Sequence, residues 1–217
     1  MMKKGLWLIL CAVLCGMMSC AQVRDYAGIA RNQVLSDEYN AALETWTREQ
    51  TVYSHFETTL RIIATYRSPE FQNAYASECK RIYGEQDAGK DVLPKEICRD
   101  VLRSGFMEFF FYAATPHREE NDFARTRSVW NVVLREEGSG LVHRPAEIRE
   151  IEDINPVIMK FFPYVNRYYG KFYSVRYLFS SQDSESAAAS DMPVNLTLIF
   201  SGVLGDAVLK WHSEVLE

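Results

Sequence analysis

No apolar run in this sequence is long enough to cross a bilayer as a helix. The leading apolar stretch, Gly5 to Met18, has 14 residues, short of the roughly 18 to 20 that a spanning helix needs. Histidine is scarce. His55, His117, His143 and His212 are the four, with no HxxxH spacing among them and no C-x-x-C pair to complete a zinc site. No G-x-S-x-G elbow, HExxH helix, P-loop or strand-borne G-x-G-x-x-G occurs. Ser139 in "GSG" has no oxyanion-hole context and is not read as a nucleophile. Basic character is also missing: 24 Lys and Arg stand against 29 Asp and Glu, a net charge of −5. That balance argues against a nucleic-acid partner and against binding of anionic head groups through the folded part. With no internal repeat and no strand–helix–strand rhythm, a solenoid or a parallel sheet is not expected. No catalytic residue, metal ligand or cofactor is assigned, and the chain is read as non-enzymatic.

What is present is a sizeable apolar content, 47% with 13% aromatic. That excludes a disordered chain and suits one domain, or two small ones, with a real core. The chain opens "MMKKGLWLILCAVLCGMMSC". Lys3 and Lys4 form a positive leading region, Leu6 to Leu14 an apolar stretch, and small or soft residues run into Cys20. This is the order of a secretory signal.

"Met17-Met18-Ser19-Cys20" resembles the lipobox of bacterial lipoprotein precursors, in which a small residue precedes the modified cysteine. Ser19 and Cys20 match that pattern; Met17 stands where leucine is commonest and Met18 where alanine or serine is. The resemblance covers residues 1–20. It implies a diacylglycerol on the Cys20 sulfur, cleavage before Cys20 and a membrane partner held through acyl chains. Ala21 resembles the residue that permits sorting to an outer membrane. Removing Lys3 and Lys4 would leave 22 basic against 29 acidic residues, a net charge of −7. Two acyl chains suffice for stable anchoring where one does not.

Cys11 and Cys15 would leave with the leader, so Cys79 and Cys98 remain. Two thiols in an oxidising compartment fit one disulfide, and two buried thiols are the alternative. A bridge closing about 20 residues contributes roughly 3 kcal/mol. Cys79 falls on the apolar stripe Phe71, Ala74, Tyr75, Cys79 and Ile82 of an expected helix. Ser68 is its N-cap, Pro69 its first turn and Gly84 its stop. Cys98 falls on a second stripe with Ile97, Val101 and Leu102.

The expected fold is α+β, a helical N-terminal part followed by a small antiparallel β-sandwich. The divisions are a signal peptide over 1–19, a tether over 20–35, a helical segment over 36–104 and a sandwich-like domain over 105–217. Within the helical segment, Asp37 to Trp46 forms one helix. In "VYSHFETTLRIIATY", Tyr53, Phe56, Leu60 and Ile63 recur at helical spacing. After Gly105 the period becomes two, in "FMEFFFYAA", "SVWNVVL", "KFYSVRYLF", "VNLTLIF" and "AVLKW", with "EEGSG" and "SGVLGD" as turns. "SSQDSESAAASDMP" over 180–193 reads as a solvated loop. This layout resembles that of uncharacterised envelope lipoproteins of Gram-negative bacteria, with no activity attached.

The stretch 161–179, "FFPYVNRYYGKFYSVRYLF", has nine Phe or Tyr among 19 residues, interleaved with Arg167, Lys171 and Arg176. Alternation assigns Tyr173, Val175, Tyr177 and Phe179 to a core. Tyr164, Arg167, Tyr168 and Tyr169 precede the strand and form the candidate binding surface. "PHREEND", with His117, Glu119, Glu120 and Asp122, reads as a solvated connection, with a divalent-ion site as its alternative. Asp183, Glu185 and Asp191 lack the order of a calcium loop, and Asn195 reads as an outward strand residue. The expected function is a lipid-anchored envelope protein, at an outer membrane facing the periplasm, acting through protein–protein contacts as a structural or assembly accessory. A binding module for a small molecule, glycan or lipid is the alternative, and an enzyme assembled from distant residues is the third.

Overall fold

The computed structural model describes residues 34–83, 106–178 and 195–212. Its elements are α1 (Asp37–Trp46), β1 (Thr47–Ser54), β2 (Glu57–Tyr66), α2 (Pro69–Tyr83), β3 (Phe106–Ala114), β4 (Trp130–Glu136), β5 (Val142–His143), β6 (Glu147–Glu150), α3 (Pro156–Phe161), β7 (Lys171–Leu178), β8 (Leu196–Gly202) and β9 (Gly205–Trp211). A five-stranded sheet runs β1-β2-β3-β7-β6 and a four-stranded sheet β5-β4-β8-β9. Every strand pair is antiparallel. The class is α+β.

The two sheets share one apolar core. Leu60, Phe109, Phe111, Tyr173 and Val175 enter it from the first sheet, and Trp130, Leu198, Phe200 and Trp211 from the second. The opposite face of the first sheet, including Ile63, Phe110, Tyr112 and Phe172, packs on Tyr39 and Leu43 of α1, Phe71 and Tyr75 of α2, and Ile158 and Phe161 of α3. The first sheet is therefore buried on both faces. That is why β3 reads as an almost unbroken apolar run, whereas β4, β8 and β9 alternate.

The helix expected across Tyr53–Ile63 is not there; these residues form the β1–β2 hairpin. The helical spacing is a coincidence of two-sided burial. Leu60 enters the core between the sheets and Ile63 the helix-side core, while Tyr53 and Phe56 are exposed. The β-branched residues Thr51, Val52, Thr58, Thr59, Ile62 and Thr65 were the signal for strand, because they fit a pleated surface better than a helix.

The other local readings fare differently. α1 starts where Ser36 Oγ accepts from Tyr39 N at 3.2 Å. α2 is the Ser68-initiated helix, with Ser68 Oγ accepting from Phe71 N at 3.1 Å. Phe71, Tyr75 and Cys79 are buried as the stripe requires. Trp130, Val132 and Leu134 share the inner face of β4, and Ala207, Leu209 and Trp211 that of β9. The helix expected near Pro94, Cys98, Phe179 and the 180–193 segment lie outside the described residues, as do Cys20 and the leader. Among the described residues no helix is long and apolar enough to cross a membrane.

The free edges β1 and β9 face each other. Arg48 Nε donates to Lys210 O at 3.0 Å, Gln50 Oε1 accepts from Val208 N at 2.5 Å, and Trp211 Nε1 donates to Trp46 O at 2.8 Å. Side chains thus stitch two edges that would otherwise offer unpaired backbone to another chain.

Candidate functional site

The candidate surface is carried by α3 and the turn leading into β7. Asn155 caps α3, its Oδ1 accepting from Val157 N and Ile158 N at 3.0 Å each, and Pro156 occupies the first turn, where its missing N–H costs nothing. Val157, Ile158, Phe161 and Phe162 are buried and fix the helix to the sheet. Asn166 organises the turn. Its Oδ1 accepts from Tyr168 N at 2.9 Å, and its carbonyl accepts from Gly170 N and from Tyr112 Oη, both at 3.2 Å. Gly170 permits the crossing, since a Cβ there would lie 2.4 Å from Ala113 O and 2.5 Å from the Tyr112 ring.

Outside this frame stand Tyr168 and Tyr169, 70% and 77% exposed. The Arg167 guanidinium lies 4.9 Å from the Tyr168 ring centroid, and its Nη2 donates to Tyr168 Oη at 2.7 Å. An exposed aromatic face with a cation across it is suited to contacts with aromatic, carbonyl-rich or acidic surfaces.

Tyr164 does not belong to that face. It is half-buried, its ring packs against Phe162 and Phe172, and its hydroxyl lies 2.7 Å from Thr65 Oγ1, which in turn lies 2.7 Å from Thr47 Oγ1. Burial pushes its ionisation above the ordinary tyrosine range, so it stays a neutral hydrogen-bonding group. It lines a groove of about 360 Å³ between α1 and the β1–β2 hairpin, with Leu43, Glu44, Arg48, Arg61 and Ile63. The groove's cations are engaged: Arg48 donates to the carbonyls of Thr45, Thr47 and Lys210, and Arg61 Nε lies 2.7 Å from Glu49 Oε1. The candidate quartet therefore divides, Tyr164 facing the groove and Arg167, Tyr168 and Tyr169 the solvent.

Sequence reasoning missed a buried charge cluster centred on Glu108. Arg67 Nη1 pairs with Glu108 Oε2, and Ser174 Oγ donates to Oε1 at 2.7 Å. Arg176 Nε lies 3.7 Å from the same oxygen, and its Nη2 pairs with Glu147. Arg67 also lies over the Phe110 ring, 4.8 Å from its centroid. Glu108 and Arg67 are almost fully buried, and charges at that depth persist only when paired. The available signal was a lone glutamate inside "FMEFFFYAA".

The remaining candidates resolve into local structure. Asp122 Oδ1 accepts from Ser128 Oγ at 2.8 Å and Val129 N at 3.3 Å, while Asn121 binds Tyr173 Oη and Ala113 O. His117 and Glu119 are exposed. Among the described residues no group of three His, Cys, Asp or Glu could hold a metal ion. His143 Nε2 lies 2.7 Å from Glu136 Oε1, and Ser139 Oγ donates to Glu136 Oε2 at 2.9 Å. The carboxylate thus sits between serine and imidazole. A nucleophilic serine needs the imidazole as its direct partner, so this arrangement ties a hairpin rather than activating an oxygen. Cys79 is buried in α2.

Comparison with family models, curated proteins and solved structures gives no match to this chain.

Proposed function

We propose that this protein is a lipid-anchored envelope component, acylated at Cys20, that works as a structural or assembly accessory through protein–protein contact. The observation that carries the contact is the Arg167–Tyr168–Tyr169 face, held outward by a turn whose Asn166 carbonyl accepts from the hydroxyl of buried Tyr112. Rigid, exposed aromatics lose little conformational entropy on binding, which is why tyrosine and arginine recur as interface anchors. The lipobox-like "Met17-Met18-Ser19-Cys20" supports the anchor, and Ala21 an outer-membrane address facing the periplasm. The two sheets read as a small sandwich, with the helices on one outer face, carrying the contact surface at its rim.

Metabolic labelling with palmitate tests the anchor: the product should be labelled, and Cys20→Ala should abolish the label. A wild-type product that stays unlabelled overturns it. A photo-crosslinker placed at position 169 in intact cells tests the face. A discrete adduct is expected, lost in the Tyr168→Ala/Tyr169→Ala variant with unchanged thermal unfolding. Adducts indifferent to that double change defeat the reading.

The groove beside Tyr164 favours a second reading, a binding module for a small molecule or glycan, because its volume lies within the range of ligand sites. A thermal-shift screen that raises the melting point of wild type but not of Tyr164→Phe would support it.

A further inference from the structure

The β1–β2 hairpin ends in a two-residue turn, since Ser54 pairs with Glu57. Its central residues, His55 and Phe56, take φ of +51° and +69°. Such turns ordinarily use asparagine or glycine, because a Cβ is strained in the left-handed region. Elsewhere among the described residues, positive φ falls on Gly140 and Gly205. The molecule therefore places a bulky aromatic where glycine would serve the backbone better. The Phe56 side chain makes no use of the fold, being fully exposed, and Tyr53 beside it is 68% exposed.

A second apolar tip stands next to it. The stitching of Arg48 to Lys210 and Gln50 to Val208, continued by Val52 against Gly205, sets β1 antiparallel to β9. The β8–β9 turn therefore lies at the same end of the molecule as Phe56, and its Val203 is 87% exposed. The two tips carry no lysine or arginine between Tyr53 and Thr59 or between Gly202 and Asp206; the charges there are those of Glu57 and Asp206.

We propose that Tyr53, Phe56 and Val203 form an apolar wedge that enters the head-group and outer acyl region of a zwitterionic lipid surface. This rests on the anchored reading above. The shape argues for lipid: Phe56 and Val203 protrude from turns and Tyr53 from the adjoining strand end rather than lining a depression, and neither tip carries a lysine or arginine to meet an acidic partner. Strained backbone kept for an exposed aromatic marks a site where the side chain, not the fold, is served. Tyr53 supplies the amphipathic ring suited to the head-group level. Anionic lipid is disfavoured by Glu57 and Asp206. The chain from Cys20 to Val34 gives a tether of at most about 50 Å, against a length of about 27 Å for the eight-residue β1 that carries the tip.

The test uses the full acylated protein, as Phe56→Trp, in phosphatidylcholine vesicles with and without brominated acyl chains. Leu141→Trp is the reference: the pairing of Trp130 with Gly202 and of Glu136 with Leu196 puts the β4–β5 turn at the opposite end from Val203. After subtraction of the wild-type spectrum, the added indole at position 56 should lose about half its emission to brominated chains, as expected for burial of roughly 5–10 Å. The one at position 141 should lose none. Tyr53→Ala/Val203→Ser in the same background should reduce the quenching. Equal quenching at both positions, or none at 56, overturns the wedge. A blue shift at 56 that grows with protein-to-lipid ratio without bromine quenching assigns the tip to a second copy and also overturns it. The mass of the N-terminal peptide reports Cys20 acylation separately, so a missing lipid mass defeats the anchor, whereas an unquenched indole on acylated protein defeats the wedge.

Discussion

The Ser36 N–H donates to Glu78 Oε1 at 3.1 Å across 42 residues of sequence, joining the start of α1 to the interior of α2. Arg81 completes the site, its Nη2 2.6 Å and its Nε 2.9 Å from the two carboxylate oxygens. The guanidinium first, then the Ser36 contact, holds the Glu78 carboxyl below the ordinary carboxylate range against the opposing effect of burial. A folded-state value below the unfolded one means that the unfolded chain binds the proton more readily. The contribution is thus complete above the ordinary glutamate value and is lost as pH falls through the folded one. Glu78→Gln should flatten the stability–pH curve in that acidic window, with unfolding by urea at several pH values as the measurement. If the variant loses stability on acidification as steeply as wild type there, Glu78 is not the group responsible.

Glu108 poses a different energetic problem. Removing one partner from a buried ion pair costs about 3–5 kcal/mol, because the other charge keeps its desolvation penalty. Glu108→Ala takes the carboxylate from Arg67 and the acceptor from Ser174 together. Denaturant unfolding should show a loss of about 3 kcal/mol or more. A loss below about 1 kcal/mol would mean that water or rearranged neighbours satisfy the guanidinium.

Period two was readable in β4, β8 and β9, where one sheet face is buried, and gave no strand signal in β2, where both are. Trp130, Val132 and Leu134, and likewise Leu196, Leu198 and Phe200, alternate because their neighbours face away from the shared core. β2 offered no such alternation, since Ile62, Ile63, Ala64 and Thr65 are all buried. Tyr168 and Tyr169 could be read as exposed because they precede the strand. Tyr164 could not, because the group that captures it, Thr65, is 99 residues distant. The Glu108 cluster draws on β3, β6, β7 and the β2–α2 connection, a convergence that only topology creates.

Two core tyrosines separate hydrogen bonding from packing. Tyr173 Oη donates to the Asn121 carbonyl and side-chain oxygen, both at 2.9 Å. Tyr177, four residues on and on the same face, is fully buried, and its hydroxyl has no hydrogen-bond partner among the described residues. Tyr173→Phe should therefore cost about 1–2 kcal/mol, and Tyr177→Phe should be neutral or stabilising by up to about 1 kcal/mol. Equilibrium unfolding of both variants decides it. A destabilised Tyr177→Phe would imply a bound water completing that hydroxyl.

Gly170 links the buried frame to the exposed aromatics, and its substitution should register in both. A methyl at this position meets Ala113 O at 2.4 Å and the Tyr112 ring at 2.5 Å. The carbonyl is part of a central strand and cannot withdraw, so the turn must move instead. Overpacking of this kind costs about 1–3 kcal/mol. Gly170→Ala should lose that much stability and should also weaken the adduct formed from position 169, since Tyr168 and Tyr169 ride on the displaced turn. Gly138→Ala is the control, because a Cβ there meets nothing within 4 Å, and it should leave both readouts unchanged. Normal crosslinking by a destabilised Gly170→Ala protein would show that the partner recognises the side chains without needing the turn that presents them.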